Sequence, residues 1–110
     1  MAACFLYMTA ANVDEARAIG EALVAERLVA CVNILAPVSS IYWWQGQIQR
    51  DSEAVLIAKT RAELVETVIA RVKALHSYTV PCVVSLAIEQ GNPDFLGWIE
   101  AETQPAGRRL

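Results

Sequence analysis

The pattern of apolar and polar positions begins with a short apolar run followed by a helical stretch. Residues 2–9 form an uninterrupted apolar segment, which is typical of a buried strand. Asn12 then provides a helix cap, with Glu15 three positions later, and apolar residues recur beyond it at helical spacing. The pattern therefore predicts a first strand over 2–9 and a helix over 13–28.

A long pair of strands is predicted next. Residues 30–44 alternate between apolar and polar positions, and Pro37, which lacks a backbone donor, predicts a bend or an edge position. Gln45-Gly46 is a two-residue turn signal, because glycine accepts a positive φ. Residues 47–59 form the third strand. Period-two alternation places on one of its faces Ile48, Ala54, Leu56 and Ala58, and on the other Gln47, Gln49, Asp51 and Glu53.

Two further helices and a last strand complete the pattern. Residues 60–63 have the sequence of a capping box, and the apolar stripe behind them ends near His76. Residues 82–89 predict the last strand, and residues 103–110 predict a loose tail. Asn92-Pro93 begins a short amphipathic helix that carries Phe95, Trp98 and Ile99.

The predicted order of elements is β-α-β-β-α-β followed by a helix, which is the ferredoxin-like, split βαβ arrangement. We therefore predict an α+β sandwich with strand order 4-1-3-2 and a single domain over residues 1–110, because no repeat, linker or low-complexity block interrupts the chain. An RNA-recognition fold has the same topology. That fold needs the aromatic residues of a basic RNP1-type motif on a central strand, and the third strand has none.

Composition and charge narrow the classes of function. Apolar residues make up 55% of the 110 residues, more than a small domain has interior to hide, so we expect part of this surface to face a partner subunit. The net charge is −3 and the basic residues are scattered, which argues against nucleic-acid binding. No apolar run approaches the roughly 18 residues of a membrane span, and the N-terminal run lacks a basic leader. Three cysteines without paired spacing predict reduced thiols, and we expect a cytoplasmic location.

The second and third strands are too long for one small domain. Thirteen residues reach roughly 43 Å at about 3.3 Å per residue, whereas a compact domain of about 100 residues has a diameter of roughly 34 Å. The overhanging tip carries an aromatic cluster around Trp43 and Trp44. Since an isolated apolar ribbon is marginal in water and prone to aggregate, we predict that it lies on a neighbouring copy of the chain. In the alternative, the hairpin curls back over its own core.

Five sequence blocks occur in an order that resembles a known family. These are Ala30-Cys31-Val32-Asn33-Ile34, Ser40-Ile41-Tyr42-Trp43-Trp44-Gln45-Gly46, Leu56-Ile57-Ala58-Lys59-Thr60, His76-Ser77-Tyr78-Thr79-Val80-Pro81 and Gly91-Asn92-Pro93-Asp94-Phe95-Leu96-Gly97-Trp98-Ile99. Together they resemble the CutA divalent-cation-tolerance family over nearly the whole chain. The resemblance implies a ferredoxin-like homotrimer, kinship of architecture with the PII signalling proteins, and tolerance to copper and other divalent metals.

The chain departs from the family's usual His-Pro-Tyr-Glu-Val-Pro-Glu segment. At the two acidic positions it carries Thr79 and Cys82. The loss of carboxylates and the gain of a thiol favour softer ions such as Cu(I).

Candidate metal ligands are few. His76 is the only histidine, and the soft candidates are Cys31, Cys82, Met1 and Met8. Cys31 begins the second strand and Cys82 the fourth, so we expect both to lie with His76 at one end of the sheet. Because these strands are opposite edges, roughly 14 Å apart at three strand spacings, a metal such as copper can join the ligands only across a subunit interface. In the alternative, the cysteines are small hydrophobes and His76 is a helix-end cation.

The aromatic residues have a similar pair of interpretations. They mark either interface packing or a small-molecule cleft between subunits, with Tyr78 and Trp43 as walls and Lys59 as an anion contact. The candidate residues are Tyr42, Trp43, Trp44, Lys59, Tyr78 and Trp98.

No self-contained catalytic site is predicted. Cys31 and His76 are the only nucleophile and base pair available, and Asp51 and Glu53 are expected to be solvated. No phosphate loop or dinucleotide fingerprint occurs. The leading hypothesis is a non-enzymatic trimer that binds or responds to metal ions. The alternatives are a PII-like trimer that senses a small ligand, and an assembly that contacts another protein.

Overall fold

A computed structural model describes residues 2–104, so the last six residues of the predicted loose tail lie outside the described residues. Over this range the chain forms four strands, three α-helices and one short 3₁₀ turn. In chain order the elements are β1 Ala3–Ala10, α1 Val13–Ala25, β2 Cys31–Trp44, β3 Gln47–Arg61, the 3₁₀ turn Ala62–Leu64, α2 Val65–Leu75, β4 Val83–Ala87 and α3 Pro93–Glu102.

The strands form one sheet in the order β2-β3-β1-β4, with antiparallel neighbours throughout. This confirms the predicted α+β class and the predicted order across the sheet. Because β3 separates β1 from β2, those two strands run parallel, whereas β4 runs opposite to both. The end of the sheet at which each strand begins follows from these directions.

The core lies between the sheet and the first two helices. The inward residues of β1 and β3 meet those of α1 and α2, and all are at most 2% exposed; they include Leu6, Met8, Ile19, Leu23, Leu56, Val68 and Val72. Alternation along the strands and helical spacing along α1 and α2 account for both contributions. Among residues 2–104, no helix is long and apolar enough to cross a membrane.

The first helix begins as predicted and ends three residues early. The side chain of Asn12 accepts a hydrogen bond from the Glu15 amide at 2.8 Å, while the Glu15 carboxylate accepts one from the Ala11 amide at 3.0 Å. The helix stops at Ala25 because Arg27 adopts a positive φ of 58°, and the Leu28 amide then donates back to the Leu23 carbonyl at 3.0 Å.

The capping box predicted at residues 60–63 is wrong. Strand β3 continues through Arg61, and Thr60 is fully buried within it. The Thr60 hydroxyl donates to the Leu28 carbonyl at 2.7 Å and caps no helix. The second helix instead begins at Val65, after the 3₁₀ turn.

The C-terminal helix closes the sheet at the end where β1 begins. Asn92 caps it by accepting from the Asp94 amide at 3.0 Å, and Pro93 takes the first helical position, as predicted. Ile99 is fully buried and packs with Ala3 and Ala30. Strand β4 is shorter than the predicted 82–89, since pairing covers Val83–Ala87 alone.

The distal part of β2 and β3 forms a two-stranded ribbon, residues 38–53, which extends beyond the helices. Gln45 and Gly46 both have a positive φ, of 51° and 77°, so they form the tight turn that the sequence predicted. Pro37 lies on edge strand β2, at a register shift between Leu35 and Val38. The molecule measures 50 × 27 × 21 Å, and Trp43 at the ribbon tip is 72% exposed. The hairpin therefore does not curl back over its own core.

The face of the sheet opposite α1 and α2 is only partly covered. Its alternate residues are apolar and exposed to about half their surface, and they include Tyr7, Leu35, Val84 and Leu86. We call this surface the open face.

Candidate functional site

An open cleft of about 740 Å³ lies at the base of the ribbon, where β1 ends and the loop before β4 passes. The end of β1, both ribbon strands and the loop between α2 and β4 all contribute to it. Its lining comprises Thr9, Ser39, Ser40, Ile41, Tyr42, Trp44, Glu53, Ser77, Tyr78, Thr79, Val80 and Cys82. Alternation along the strands places Tyr42, Trp44 and Glu53 on the same side of the ribbon.

A buried carboxylate and a tyrosine form the polar centre of the cleft. Glu53 is only 8% exposed, and its Oε2 accepts a hydrogen bond from the Tyr78 hydroxyl at 2.8 Å. Burial, and then the hydrogen bond to Glu53, raise the pKa of Tyr78 above its ordinary value. The phenol is therefore a stable donor at neutral pH. The expectation that Glu53 is solvated is wrong, because the loop 77–82 covers it.

A second tyrosine and carboxylate lie farther along the ribbon. The hydroxyl of Tyr42 donates to Asp51 Oδ2, and both side chains are on the surface. The hydrogen bond to Asp51 raises the pKa of Tyr42, so this phenol also stays protonated. Asp51 and Glu53 are two residues apart in β3 and therefore face the same side. Their carboxylates therefore lie on the same side of the ribbon, with Glu53 in the cleft and Asp51 nearer the ribbon tip.

His76 is a structural residue within the single chain. Its imidazole is 1% exposed, its Nε2 lies 2.7 Å from the Thr9 carbonyl, and its Nδ1 lies 3.0 Å from the Tyr78 amide. Since the amide N–H can only donate, Nδ1 accepts and Nε2 carries the proton. Both ring nitrogens are thus engaged, and the ring fixes the end of α2 and the Tyr78 loop against β1.

Glu15 links the start of α1 to the same loop. One of its oxygens accepts from the Ala11 amide and the other from the Ser77 amide at 2.9 Å. Burial opposes ionisation of this carboxyl, but the hydrogen bonds from Ala11 and Ser77 outweigh it and lower the pKa of Glu15. The Tyr78 loop is therefore held by Glu15 as well as by His76.

The structure does not bring Cys31 to the same end of the sheet as Cys82. Cys31 lies opposite Lys59, which in turn lies opposite Phe5 near the start of β1. Cys82 immediately precedes Val83, which pairs with Met8 near the end of β1. The expectation of a shared end is wrong, because β4 runs opposite to β2.

Cys82 is the thiol of the cleft. Burial of the sulfur and the neighbouring Glu53 raise the pKa of Cys82, so at neutral pH it is a thiol and not a thiolate. Cys4, Cys31 and Cys82 are all free. Within residues 2–104, no group of three or more histidine, cysteine or acidic side chains is arranged to hold a metal ion.

Three of the six residues predicted for a cleft or interface do not line this cleft. Lys59 donates to Asn33 at the Cys31 end of the sheet. Trp43 lies on the opposite face of the ribbon from Trp44. Trp98 stacks on Phe95 in α3, with ring centroids 5.5 Å apart. Sequence reasoning did not find Thr9, Ser39, Ser40 or the role of Glu53. The one signal for Glu53 is that it directly precedes the buried run over residues 54–56.

The sequence of the chain matches the profile of a known protein family. A sequence profile described as "CutA1 divalent ion tolerance protein" matches residues 4–102. The chain belongs to this family. The CutA match takes in all four strands and the cleft, and it confirms the family resemblance drawn from the sequence.

Individual CutA proteins are similar over most of the chain. The "Divalent-cation tolerance protein CutA" of Archaeoglobus fulgidus is 45% identical over 96 residues, which cover 87% of this chain and 93% of that protein. The chloroplastic CutA 1 of Oryza sativa subsp. japonica is 39% identical over 90% of this chain, and the match covers 56% of its own length. A solved structure, described as the periplasmic divalent cation tolerance protein CutA from Archaeoglobus fulgidus, superimposes with a TM-score of 0.90 at 42% identity, covering 93% of this chain and 99% of the other.

Thr79 and Cys82, the two residues at which the resemblance implied a departure from the family's usual segment, both line the cleft. Within residues 2–104, Glu53 is the one charged residue that lines it.

Proposed function

We propose that this CutA chain is a homotrimer of ferredoxin-like subunits that binds divalent metal ions, copper among them, and takes part in tolerance or response to those ions. The exposed apolar ribbon is the observation that carries the proposal. Membership of a family named for divalent ion tolerance supports the role.

Two apolar surfaces support assembly. At the tip of the ribbon, Ile41 and Trp43 are 71% and 72% exposed, and Ile48 is 47% exposed. Along the open face, Leu35, Val84 and Leu86 are each about half exposed. Large apolar patches on a small protein mark interaction sites. A closed ring of identical subunits covers such patches on every copy without leaving an edge for further growth.

The proposed metal ligands are Cys31 of one subunit with Cys82 and His76 of a neighbour. Cys31 lies at the start of edge strand β2 and Cys82 just before the opposite edge strand β4, at opposite ends of one sheet, so the site requires a neighbouring copy to bring the start of its β4 beside Cys31. Thiol ligands favour copper over hard ions. For His76 to ligate, the ring must release the Thr9 carbonyl or the Tyr78 amide, which makes it the weakest member of the set.

Native mass spectrometry of the purified protein tests both parts of the proposal. We expect a species of three 12.0-kDa chains that carries bound copper or zinc at a fixed ratio. Cys31→Ala and Cys82→Ala should each abolish stoichiometric binding, and Cys4→Ala, which removes a buried thiol outside the set, should not. Unchanged binding in both variants contradicts the ligand set, whereas a monomer at low micromolar concentration contradicts the assembly.

A second candidate function rests on the cleft. Its volume of about 740 Å³ lies in the range of small-molecule sites, so a PII-like trimer that senses a ligand at the cleft is the alternative. An organic ligand retained after purification, without stoichiometric metal, favours this function over the first.

Two further assignments belong to the same proposal. We assign no catalytic reaction, because the pKa of Cys82 is raised and His76 already uses both ring nitrogens. We place the protein in the cytoplasm, because its three free cysteines suit a reducing compartment. Fractionation of cells expressing the tagged protein tests the location. A protein partner at the open face is the third candidate, and co-purification of a second chain is its test.

A further inference from the structure

The cleft at the base of the ribbon selects for charge. Among the lining residues within 2–104 the only charged side chain is Glu53, and no lysine, arginine or histidine from this part of the chain lines the cleft. Lys59, the expected anion contact, lies six residues along β3 from Glu53, roughly 20 Å away at about 3.3 Å per residue. Asp51 adds a second carboxylate on the same side of the ribbon. An anionic ligand such as a nucleotide therefore has no counter-charge here.

The carboxylate of Glu53 is fixed by one hydrogen bond and keeps a second oxygen free to accept another. Its Oε2 accepts from Tyr78, and within residues 2–104 its Oε1 has no hydrogen-bond partner. Within the same residues, every side-chain oxygen that is fully shielded from solvent has a hydrogen-bond partner. Because Oε1 has none, it is accessible to solvent, and Glu53 lines the cleft. A carboxylate that is more than nine-tenths buried and keeps one free acceptor gains most from a donor that also carries positive charge.

Two tyrosine rings lie near this acceptor. Tyr78 donates to the same carboxylate, and Tyr42, which is 38% exposed, lines the cleft beside it. Trp44 lines the cleft nearer the tip of the ribbon, opposite Gln47. Aromatic rings attract ammonium and guanidinium groups through their negative faces. Hydroxyls of Thr9, Ser39 and Ser40 offer further acceptors. A bare metal ion is served less well, because no group of three or more ligating side chains is found within residues 2–104.

We infer that the cleft binds a small free organic cation, an amine or a guanidine, with its charged group on Glu53 and its apolar part against Tyr42 and Tyr78. This inference rests on the second candidate function, ligand sensing at the cleft, and names the chemical class of that ligand. The cleft shares Cys82 with the metal site proposed between Cys31, Cys82 and His76, but the binding argued here uses neither that thiol nor His76.

A matched set of probes tests the class of ligand. Benzylammonium, benzyl alcohol and benzoate share one ring and differ in charge, and each is titrated into the assembled protein by calorimetry and by two-dimensional NMR. We expect benzylammonium to bind at least tenfold more tightly than the other two, with shifts centred on Tyr42 and Tyr78. Benzoate binding as tightly as benzylammonium overturns the inference.

Variants test the site itself. Glu53→Gln keeps the shape and an acceptor for Tyr78 but removes the charge, and it should weaken benzylammonium at least tenfold. Glu66→Gln, the same change on the exposed face of α2, should leave binding unchanged. Tyr42→Leu on the exposed ribbon should weaken binding several-fold, and this variant tests the inference if Glu53→Gln does not fold. Unchanged binding in the folded cleft variants overturns the inference. The mass of the assembly and its metal content, measured on the same samples, report separately on the proposed trimer and metal site.

Discussion

Strand β3 passes through two different environments along its length. In the half covered by α1 and α2, Ala54, Leu56 and Ala58 are fully buried. On the same face of the same strand, beyond the helices, Ile48 is 47% exposed. Between Ile48 and Ala54 this face carries Arg50 and Ser52, so the strand differs across the boundary both in its own sequence and in what covers it. The helix-covered half stabilises the subunit, whereas the ribbon has its apolar side chains free for another surface.

The largest effect should come from the helix-covered half. Leu56→Ala leaves a cavity in a fully buried position, and we expect a loss of about 2–5 kcal/mol in the free energy of unfolding. Leu75→Ala, the same substitution at a side chain that is 36% exposed, is the control and should cost clearly less. Urea denaturation of both variants measures the difference, and equal losses would contradict the assignment of the core.

The ribbon should matter for assembly and not for the fold of the subunit. Trp43→Arg places a charge at a site that is 72% exposed in one chain, and we expect it to weaken association by about 2–4 kcal/mol. Sedimentation at low micromolar concentration should show dissociated subunits with an unchanged far-ultraviolet spectrum. Thr67→Arg, on the exposed surface of α2, is the control and should leave assembly intact. A fully assembled Trp43→Arg variant would remove the ribbon from the interface.

The hydrogen bond between Tyr78 and Glu53 lies at the boundary between the helix-covered half of β3 and the ribbon. Tyr78→Phe removes the donor from a carboxylate that is 8% exposed, and we expect a loss of about 1–3 kcal/mol at pH 7. Tyr7→Phe, at a hydroxyl without a hydrogen bond within residues 2–104, is the control.

The stability that Tyr78 contributes should also depend on pH. Because folding raises the pKa of Tyr78, its contribution is complete below the unfolded tyrosine pKa of about 10. The contribution is lost as the pH rises from there through the folded value. Denaturation curves of the wild type and Tyr78→Phe should therefore converge above about pH 10. A gap that widens with pH would contradict this assignment.

The smallest effect concerns two glycines that differ only in their backbone. Gly46 has a φ of 77° at the ribbon turn, and a Cβ there would meet nothing within 4 Å, so Gly46→Ala should cost about 1 kcal/mol through conformation alone. Gly97 lies inside α3 with equally open space, and Gly97→Ala should stabilise by up to about 1 kcal/mol. Thermal denaturation of the two variants should give shifts of opposite sign. Shifts of the same sign would show that the turn is not strained.

Much of this fold can be predicted from local patterns. Asn12 and Asn92 cap their helices as expected, because a cap depends on residues within one turn. The turn at Gln45-Gly46 forms as expected because Gly46 accepts a positive φ at little cost. The overhang of the ribbon follows from strand length alone.

The remaining features depend on contacts that local patterns do not contain. Thr60 has the sequence of a cap, but its hydroxyl meets the Leu28 carbonyl, 32 positions away in the chain. Glu53 looks like a solvated strand residue until the Tyr78 loop covers it. The end of the sheet at which Cys82 lies follows from strand direction, which the predicted topology already contained but which the placement of the cysteines did not use.

The two-residue turn also limits how the ribbon can be altered in length. Trp44 pairs with Gln47 across it, and each pair farther from the tip presents its side chains to alternate faces. Deleting one pair between the helix-covered sheet and Trp43 moves Trp43 to the side that Trp44 now occupies. It turns over every side chain between the deletion and the ribbon tip. Deleting two pairs shortens the arm and preserves the sidedness of those that remain. Insertions and deletions that preserve function in this hairpin should therefore come in multiples of two pairs.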